Sequence, residues 1–384
     1  MTYKGFKIFD CDYHIVEPVD LWQRYLPDTF KPIAPVGLDE YTVDVRIRVG
    51  EKIRPKNALI RPPADKDEAF YTKRQKKYGD AAARGWDADV VLDAMGVEGV
   101  DCGVLFPSRA LWVIADDTMD QNFARACAAA YNDWLYDFTR KDPKRLMCCG
   151  LLSPHDVRDA IDEARRCAEH GFKAVFLRPN PVRGRNWHDP YYDPLWDALE
   201  DLNLTLTFHE AYGPDMPQVG DRFGTDSQLV HSVCHPMEQM LCMASIIGGG
   251  VLERHPKLRV GFMEGNCGWV PALLFRLEEH YEENAGFSKG LNSLSKEPAD
   301  YFRDHCFVSV ECDETFVGHV VDFLGADNIL FSNDWPHIDS KYPNASESFM
   351  KLPLDDDARC KILWENTCRM YDLPLDYADD ISVT

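Results

Sequence analysis

The chain has 384 residues, 45% of them hydrophobic, and a formal net charge of -22. That length suffices for one large α/β domain with its own core, and a single domain over residues 1–384 is expected. So acidic a chain, with no cluster of Lys and Arg interleaved with aromatics, is a poor partner for nucleic acid or an anionic membrane surface.

No apolar run approaches the roughly 18 residues of a membrane span, and the opening MTYKGFKIFD lacks the apolar centre of a secretory signal, so a cytoplasmic location is expected. The 13 cysteines are odd in number, mostly lie inside apolar runs and show no C-x-x-C spacing. They are expected as reduced core thiols.

In chain order, eight short apolar runs alternate with stretches of helical spacing. They are KIFDCDYH (7–14), GVDCGVLF (99–106), RLMCCGLL (145–152), KAVFLRP (173–179), LTLTFHE (204–210), LRVGFMEG (258–265), CFVSVEC (306–312) and NILFSND (328–334). This alternation predicts a (β/α)8 TIM barrel, with its active site at the C-terminal ends of the strands. The first two runs are separated by an insertion, residues 15–98, expected to decorate the same face. Within it, 33–55 alternates like a β-hairpin and 65–80 is a charged segment, so the insertion is expected as a cover over the mouth or a dimer arm. Segment 235–256 is the most apolar helix and is expected against barrel strands or a partner subunit. Segment 269–284 begins apolar and ends acidic, as an outer-ring helix would. The tail from Met370 onward is expected as a polar extension.

Acids and histidines end several of these runs. Residues two apart on a strand share a face, so Asp12 and His14 can grip one ion, with Asp10 one step deeper. Three inward polar residues in an apolar strand are costly without a metal or hydrogen-bond partners. A histidine such as His209, ending the fifth run, is more often a satisfied core residue than a ligand, but its convergence with Asp12 and His14 on one mouth reverses that prior. Asp334 closes the eighth run in SNDWPH, where Pro336 stops the strand and the turn can bring His337 over the mouth. Glu264 ends the sixth run, and His235 and His231 lie within reach. Arg178 ends the fourth run, where its planar fork suits a substrate carboxylate or, equally, a structural salt bridge.

Together the segments DCDYHIVEP (10–18), FHEAYGPDM (208–216), 248–282 and FSNDWPHID (331–339) resemble the amidohydrolase superfamily. The likeness is to its amidohydrolase-related branch, which contains aminocarboxymuconate semialdehyde decarboxylase and the resorcylate-type decarboxylases. By this resemblance Asp12 and His14 match the first-strand ligand pair, His209 the fifth-strand ligand and Asp334 the eighth-strand ligand. The chain departs from the branch where Glu264 stands in place of a sixth-strand histidine. It also lacks a metal-bridging fourth-strand lysine or acid, since Lys173 falls at the start of that run.

Three carboxylates with several imidazoles form a hard donor set that suits Fe(II) or Mn(II). The pattern is similar to a small subgroup of the branch that uses a dinuclear iron or iron–manganese centre. The reading favoured by sequence is therefore a dinuclear Fe or Fe/Mn monooxygenase that uses O2 to hydroxylate a small organic acid. In it Glu264 binds the second ion, with His337, His235 or His231 completing the shell; Glu264 as a hydrogen-bond partner of a ligand is the plainer reading of that residue. The alternative is a mononuclear Zn or Mn hydrolase or decarboxylase of a small carboxylate, in which Asp334 handles the proton. A third is a non-catalytic subunit paired with a related chain. A homo-oligomer or such a pairing is the assembly expected.

Overall fold

A computed structural model describes residues 3–38, 45–56, 68–283, 289–337 and 339–379, with residues 68–72 described for their backbone. Eight parallel strands form its centre: β1 (Phe9–Ile15), β5 (Cys102–Pro107), β6 (Leu146–Leu151), β7 (Ala174–Leu177), β8 (Thr205–His209), β9 (Val260–Met263), β10 (Cys306–Glu311) and β11 (Ile329–Ser332), neighbours in that order. They coincide with the eight apolar runs. Helices cover the outer face of each strand, so both faces are buried and the strands are apolar without interruption. The acidic excess has a local use here, because Asp87, Asp120, Asp156, Asp226 and Asp355 each cap the start of a helix by accepting a backbone N–H.

The ring closes between the first and last strands. His14 N–H donates to Trp335 O at 2.6 Å and Asp334 N–H to Asp12 O at 3.2 Å. Beside this seam β1 slips its register on β5 between Asp10 and Tyr13. The extra residue is a bulge, a common device next to a working site. It redirects Asp10, whose Oδ1 accepts the N–H of Asp12 at 3.1 Å and of Asn333 at 3.3 Å. Asp10 therefore ties the seam together.

Among the strands that end before their sequence runs do, β9 and β11 leave a candidate site residue in the turn that follows. Glu264 and Asp334 lie just past β9 and β11 with φ of 50° and 56°, left-handed values that cost a non-glycine residue about 1–3 kcal/mol and cluster at working sites. The chain turns there instead of continuing its ladder.

The insertion contributes β2 (Val36–Gly37), β3 (Ile47–Val49) and β4 (Lys52–Arg54), an antiparallel sheet, followed by a helix, Glu68–Ala83. Of the expected hairpin 33–55, residues 39–44 lie outside the described residues, as do 65–67 of the charged segment. Four charges dock the hairpin on loops that follow β5 and β8: Lys52 Nζ lies 2.8 Å from both Asp116 and Asp215, and buried Arg54 pairs with the same two acids. The helix packs on the segment after β11. Tyr78 donates to His337 O at 3.0 Å, and the rings of Tyr78 and Trp86 meet Trp335 at 6.3 and 5.9 Å.

The tail expected as a polar extension returns to the barrel instead. Met370 and Tyr371 are fully buried, and Tyr377 stacks on Phe9 at 6.2 Å, because the lower end of the barrel exposes aromatic surface that needs a cover. The apolar helix Ser227–Met243 turns its Cys234, Gln239 and Cys242 to the interior. In Val270–Glu283 the early Val270 and Leu274 are buried. All 13 cysteines are free, with Cys360 the exposed one. Among the described residues no helix is long and apolar enough to cross a membrane.

Removing the Arg54 fork leaves Asp116 and Asp215 with Lys52 as their remaining cation in a partly desolvated junction. We expect Arg54→Ala to lower stability by about 1.5–3 kcal/mol, the range for hydrogen bonds to charged groups, read as a reduced urea midpoint. Limited proteolysis of the variant should cut first within the insertion.

Candidate metal centre

Asp12 and His14 enter the mouth from β1, His209 from the end of β8, Glu264 from the turn after β9, and Asp334 and His337 from the turn after β11. Both central histidines have a fixed tautomer. His14 Nδ1 donates to Pro107 O and His209 Nδ1 to Glu210 O, each at 2.8 Å, and a carbonyl can only accept. The two Nε2 atoms are left as lone-pair donors, yet they face each other at 3.0 Å.

Asp12 Oδ1 lies 3.4 Å from His14 Nε2 and 3.2 Å from His209 Nε2, and Asp334 Oδ1 lies 3.4 Å from His14 Nε2. Both oxygens of Asp12 and Oδ1 of Asp334 are buried without a hydrogen-bond partner. His337 Nδ1 approaches Asp334 Oδ1 to 2.8 Å, too poorly aligned to bond it. Buried lone pairs aimed at one another are unfavourable unless a cation sits among them. The donor set fits a divalent metal: Asp12, His14 and His209 form one cluster of potential ligand atoms, and His14, Glu264, Asp334 and His337 form a second that shares His14.

Glu264 joins the two rims. Its Oε2 is 3.2 Å from His209 Nε2 and its Oε1 3.4 Å from His235 Nε2, while its N–H donates to Ser309 Oγ at 2.9 Å. His231, His235 and Glu264 make a further cluster, with His231 partly exposed and 3.9 Å from Asp339 Oδ2.

The electrostatics divide the acids. Burial pushes the Asp12 carboxyl up, but His209 and His14 outweigh it and hold the group below the usual carboxylate range. Burial takes the Asp334 carboxyl well above that range against the pull of His14. Burial and then the charges of Asp334 and Asp12 do the same to Glu264. The imidazoles move the other way: burial lowers His209, takes His235 far down and pushes His337 down to about 4.

Two residues depart from the sequence reading. Arg178 is buried in an ion pair with Glu210 and hydrogen-bonded to Asn180 and Leu111, so the geometry describes the salt-bridge alternative and not an open carboxylate receptor. Glu311, at the end of β10, was given no role by pattern alone. Ser309 reaches toward Glu264, and Glu311 follows it by two, so it shares the mouth face. Burial, then Asp334 and Asp12, raise its carboxyl well above the ordinary range. The acid at the end of CFVSVEC was the available signal.

A parallel barrel that gathers Asp-x-His, a fifth-strand histidine and an eighth-strand aspartate at one mouth has the layout of a metal-site barrel. The chain belongs to the amidohydrolase family, whose model matches residues 9–373. It is 28% identical over 258 residues to a 2-amino-3-carboxymuconate-6-semialdehyde decarboxylase from Dictyostelium discoideum, covering 65% of this chain and 67% of that one. It is 24% identical over 301 residues to a gamma-resorcylate decarboxylase from Polaromonas sp., covering 74% and 86%. The fold superposes with a TM-score of 0.71 on 5-carboxyvanillate decarboxylase from Novosphingobium aromaticivorans, crystallised with manganese, at 18% identity over 96% of this chain and 97% of that one.

These relatives correct the functional expectation. They are carboxy-lyases, and none is an oxygenase, so the dinuclear iron monooxygenase reading is overturned in favour of its alternative. That reading rested on Glu264, an extra carboxylate at the rim, which lies between His209 and His235 and belongs to two of the clusters of potential ligand atoms.

Because burial raises the Asp334 carboxyl, which must be ionised to bind a metal, metal binding should release protons and the apparent affinity should rise with pH. The imidazoles, lowered by burial, oppose this release little. Calorimetric titration with Mn(II) in buffers of different ionisation enthalpy measures the release; an affinity independent of pH would contradict it.

Proposed function

We propose that the chain is a mononuclear divalent-metal decarboxylase of a small aromatic or unsaturated carboxylate. The facing Nε2 lone pairs of His14 and His209, bracketed by the unpartnered oxygens of Asp12 and Asp334, carry the metal part of this reading. The decarboxylase relatives support the reaction. Asp12, His14, His209 and Asp334 would hold the ion, manganese by likeness to the carboxyvanillate enzyme. When bound, such an ion polarises a substrate oxygen and stabilises the electron pair left as carbon dioxide departs.

The protein supplies the rest. Glu264 holds His209 and His235 apart at the rim and adds negative charge that balances the cation. The Glu311 carboxyl, raised well above the ordinary range by burial, faces the mouth where the released carbon must gain a proton. The insertion 15–98, docked on loops at the C-terminal side of the strands, would restrict water and shape the pocket. An aromatic or unsaturated substrate is favoured because it can delocalise the electron pair.

The test is carbon dioxide release from 2,6-dihydroxybenzoate and 5-carboxyvanillate by protein loaded with Mn(II), with and without oxygen. Turnover should survive anaerobic conditions and stop on chelation. His209→Ala should lose both metal and turnover while keeping its fold. Glu264→Gln should retain its single metal and lose about 10–100-fold in rate, as changes beside a ligand do. Loss of a second metal from that variant would overturn the mononuclear reading.

A further inference from the structure

His209 owes its orientation to a structure behind the strand. Its Nδ1 donates to the carbonyl of the next residue, Glu210, at 2.8 Å. The direction of the metal-facing Nε2 is therefore set by the Glu210–Ala211 peptide. That peptide ends a strand and begins a loop, where backbone is ordinarily free to adjust.

Here it is held on every side. The Glu210 side chain points away from the mouth into a fully buried layer, because strand neighbours face opposite ways. Its Oε1 accepts Arg178 Nη2 and, at 2.8 Å, the N–H of Ala211, while its Oε2 accepts Asn180 Nδ2 at 2.8 Å. The Ala211 carbonyl accepts Arg178 Nη2 at 2.5 Å and Gln218 Nε2 at 3.2 Å. Arg178 also donates through Nε to Asn180 Oδ1 at 3.2 Å and through Nη1 to Leu111 O at 3.3 Å. One planar guanidinium thus joins the segments after β5, β7 and β8. Lys could supply the charge there but not these diverging bonds.

We propose that Arg178 and Glu210 are positioning residues that lock the tautomer and direction of His209 and thereby set the affinity of the metal centre. This rests on the reading of His209 as a ligand, but not on the identity of the substrate. The partner of a ligating imidazole fixes which nitrogen is free and how basic it is. In this chain the partner is a backbone carbonyl, so the control passes to the groups that fix that carbonyl.

Mn(II) affinity of the full-length chain, measured by electron paramagnetic resonance titration, tests the proposal in Arg178→Lys, Glu210→Gln and Asn180→Ala. The first two should weaken binding about 10–100-fold, the range for partners of a metal-bound histidine. Asn180→Ala, which removes two hydrogen bonds and leaves the ion pair, should fall between them and wild type and guards against misfolding of the other two. Arg166→Lys, which alters a remote pair with Glu163, should bind as wild type does. In metal-free protein labelled at the imidazole nitrogens, NMR should show one His209 tautomer in the wild type and a mixture in Arg178→Lys, a readout that general loosening of the fold would not confine to His209. If His209→Ala loses the metal while all three clamp variants bind within about twofold of wild type, the clamp is overturned and the ligand reading stands. If His209→Ala binds Mn(II) as tightly as wild type, both fall.

Discussion

Two imidazoles that face their Nε2 atoms at each other across 3.0 Å, with buried carboxylate oxygens on either side, are the constraint on which the rest of this molecule depends. In water each of those atoms would be solvated. In a barrel mouth they are not, and the arrangement is tolerable only as a receptacle for positive charge. The bulge in β1, the left-handed turns at Glu264 and Asp334 and the buried ion pair behind His209 are costs that make sense as the means of keeping these donors in place.

The barrel seam does much of that work. Asp12 and His14 lie more than 300 residues from Asp334 in sequence, yet the backbone bonds His14 N–H to Trp335 O and Asp334 N–H to Asp12 O make them neighbours. The same bonds close the ring, so the fold cannot close without bringing the first and last ligands together. Asp10 adds a further stitch by accepting from Asn333. Stability and site are therefore coupled at one place.

The division of labour among the acids follows from their surroundings. Asp12 stands between two imidazoles that hold its carboxyl below the usual range, whereas burial and one another's charge raise Asp334, Glu264 and Glu311. Residues of one chemical type take different roles because burial and neighbours separate their proton affinities. The large net charge of the chain says nothing of this, since much of it is spent at helix starts and on the surface.

The sequence by itself determined the eight-stranded barrel. Strands buried on both faces must be apolar throughout, and helices that cover them must show their own period, so the pattern is written locally in runs such as LTLTFHE and NILFSND. It also placed Asp12, His14, His209 and Asp334 at one rim, because the ends of parallel strands share a side. What it could not give was direction. Whether Arg178 turned toward the mouth or toward Glu210, and which backbone N–H groups Asp10 would accept, were decided by contacts between segments far apart in the chain. The tail was misjudged for the same reason: the surface that Tyr371 and Tyr377 cover exists only once the barrel has formed. Burial, which raises the carboxyls of Asp334, Glu264 and Glu311, is a property of the assembled fold and has no local code.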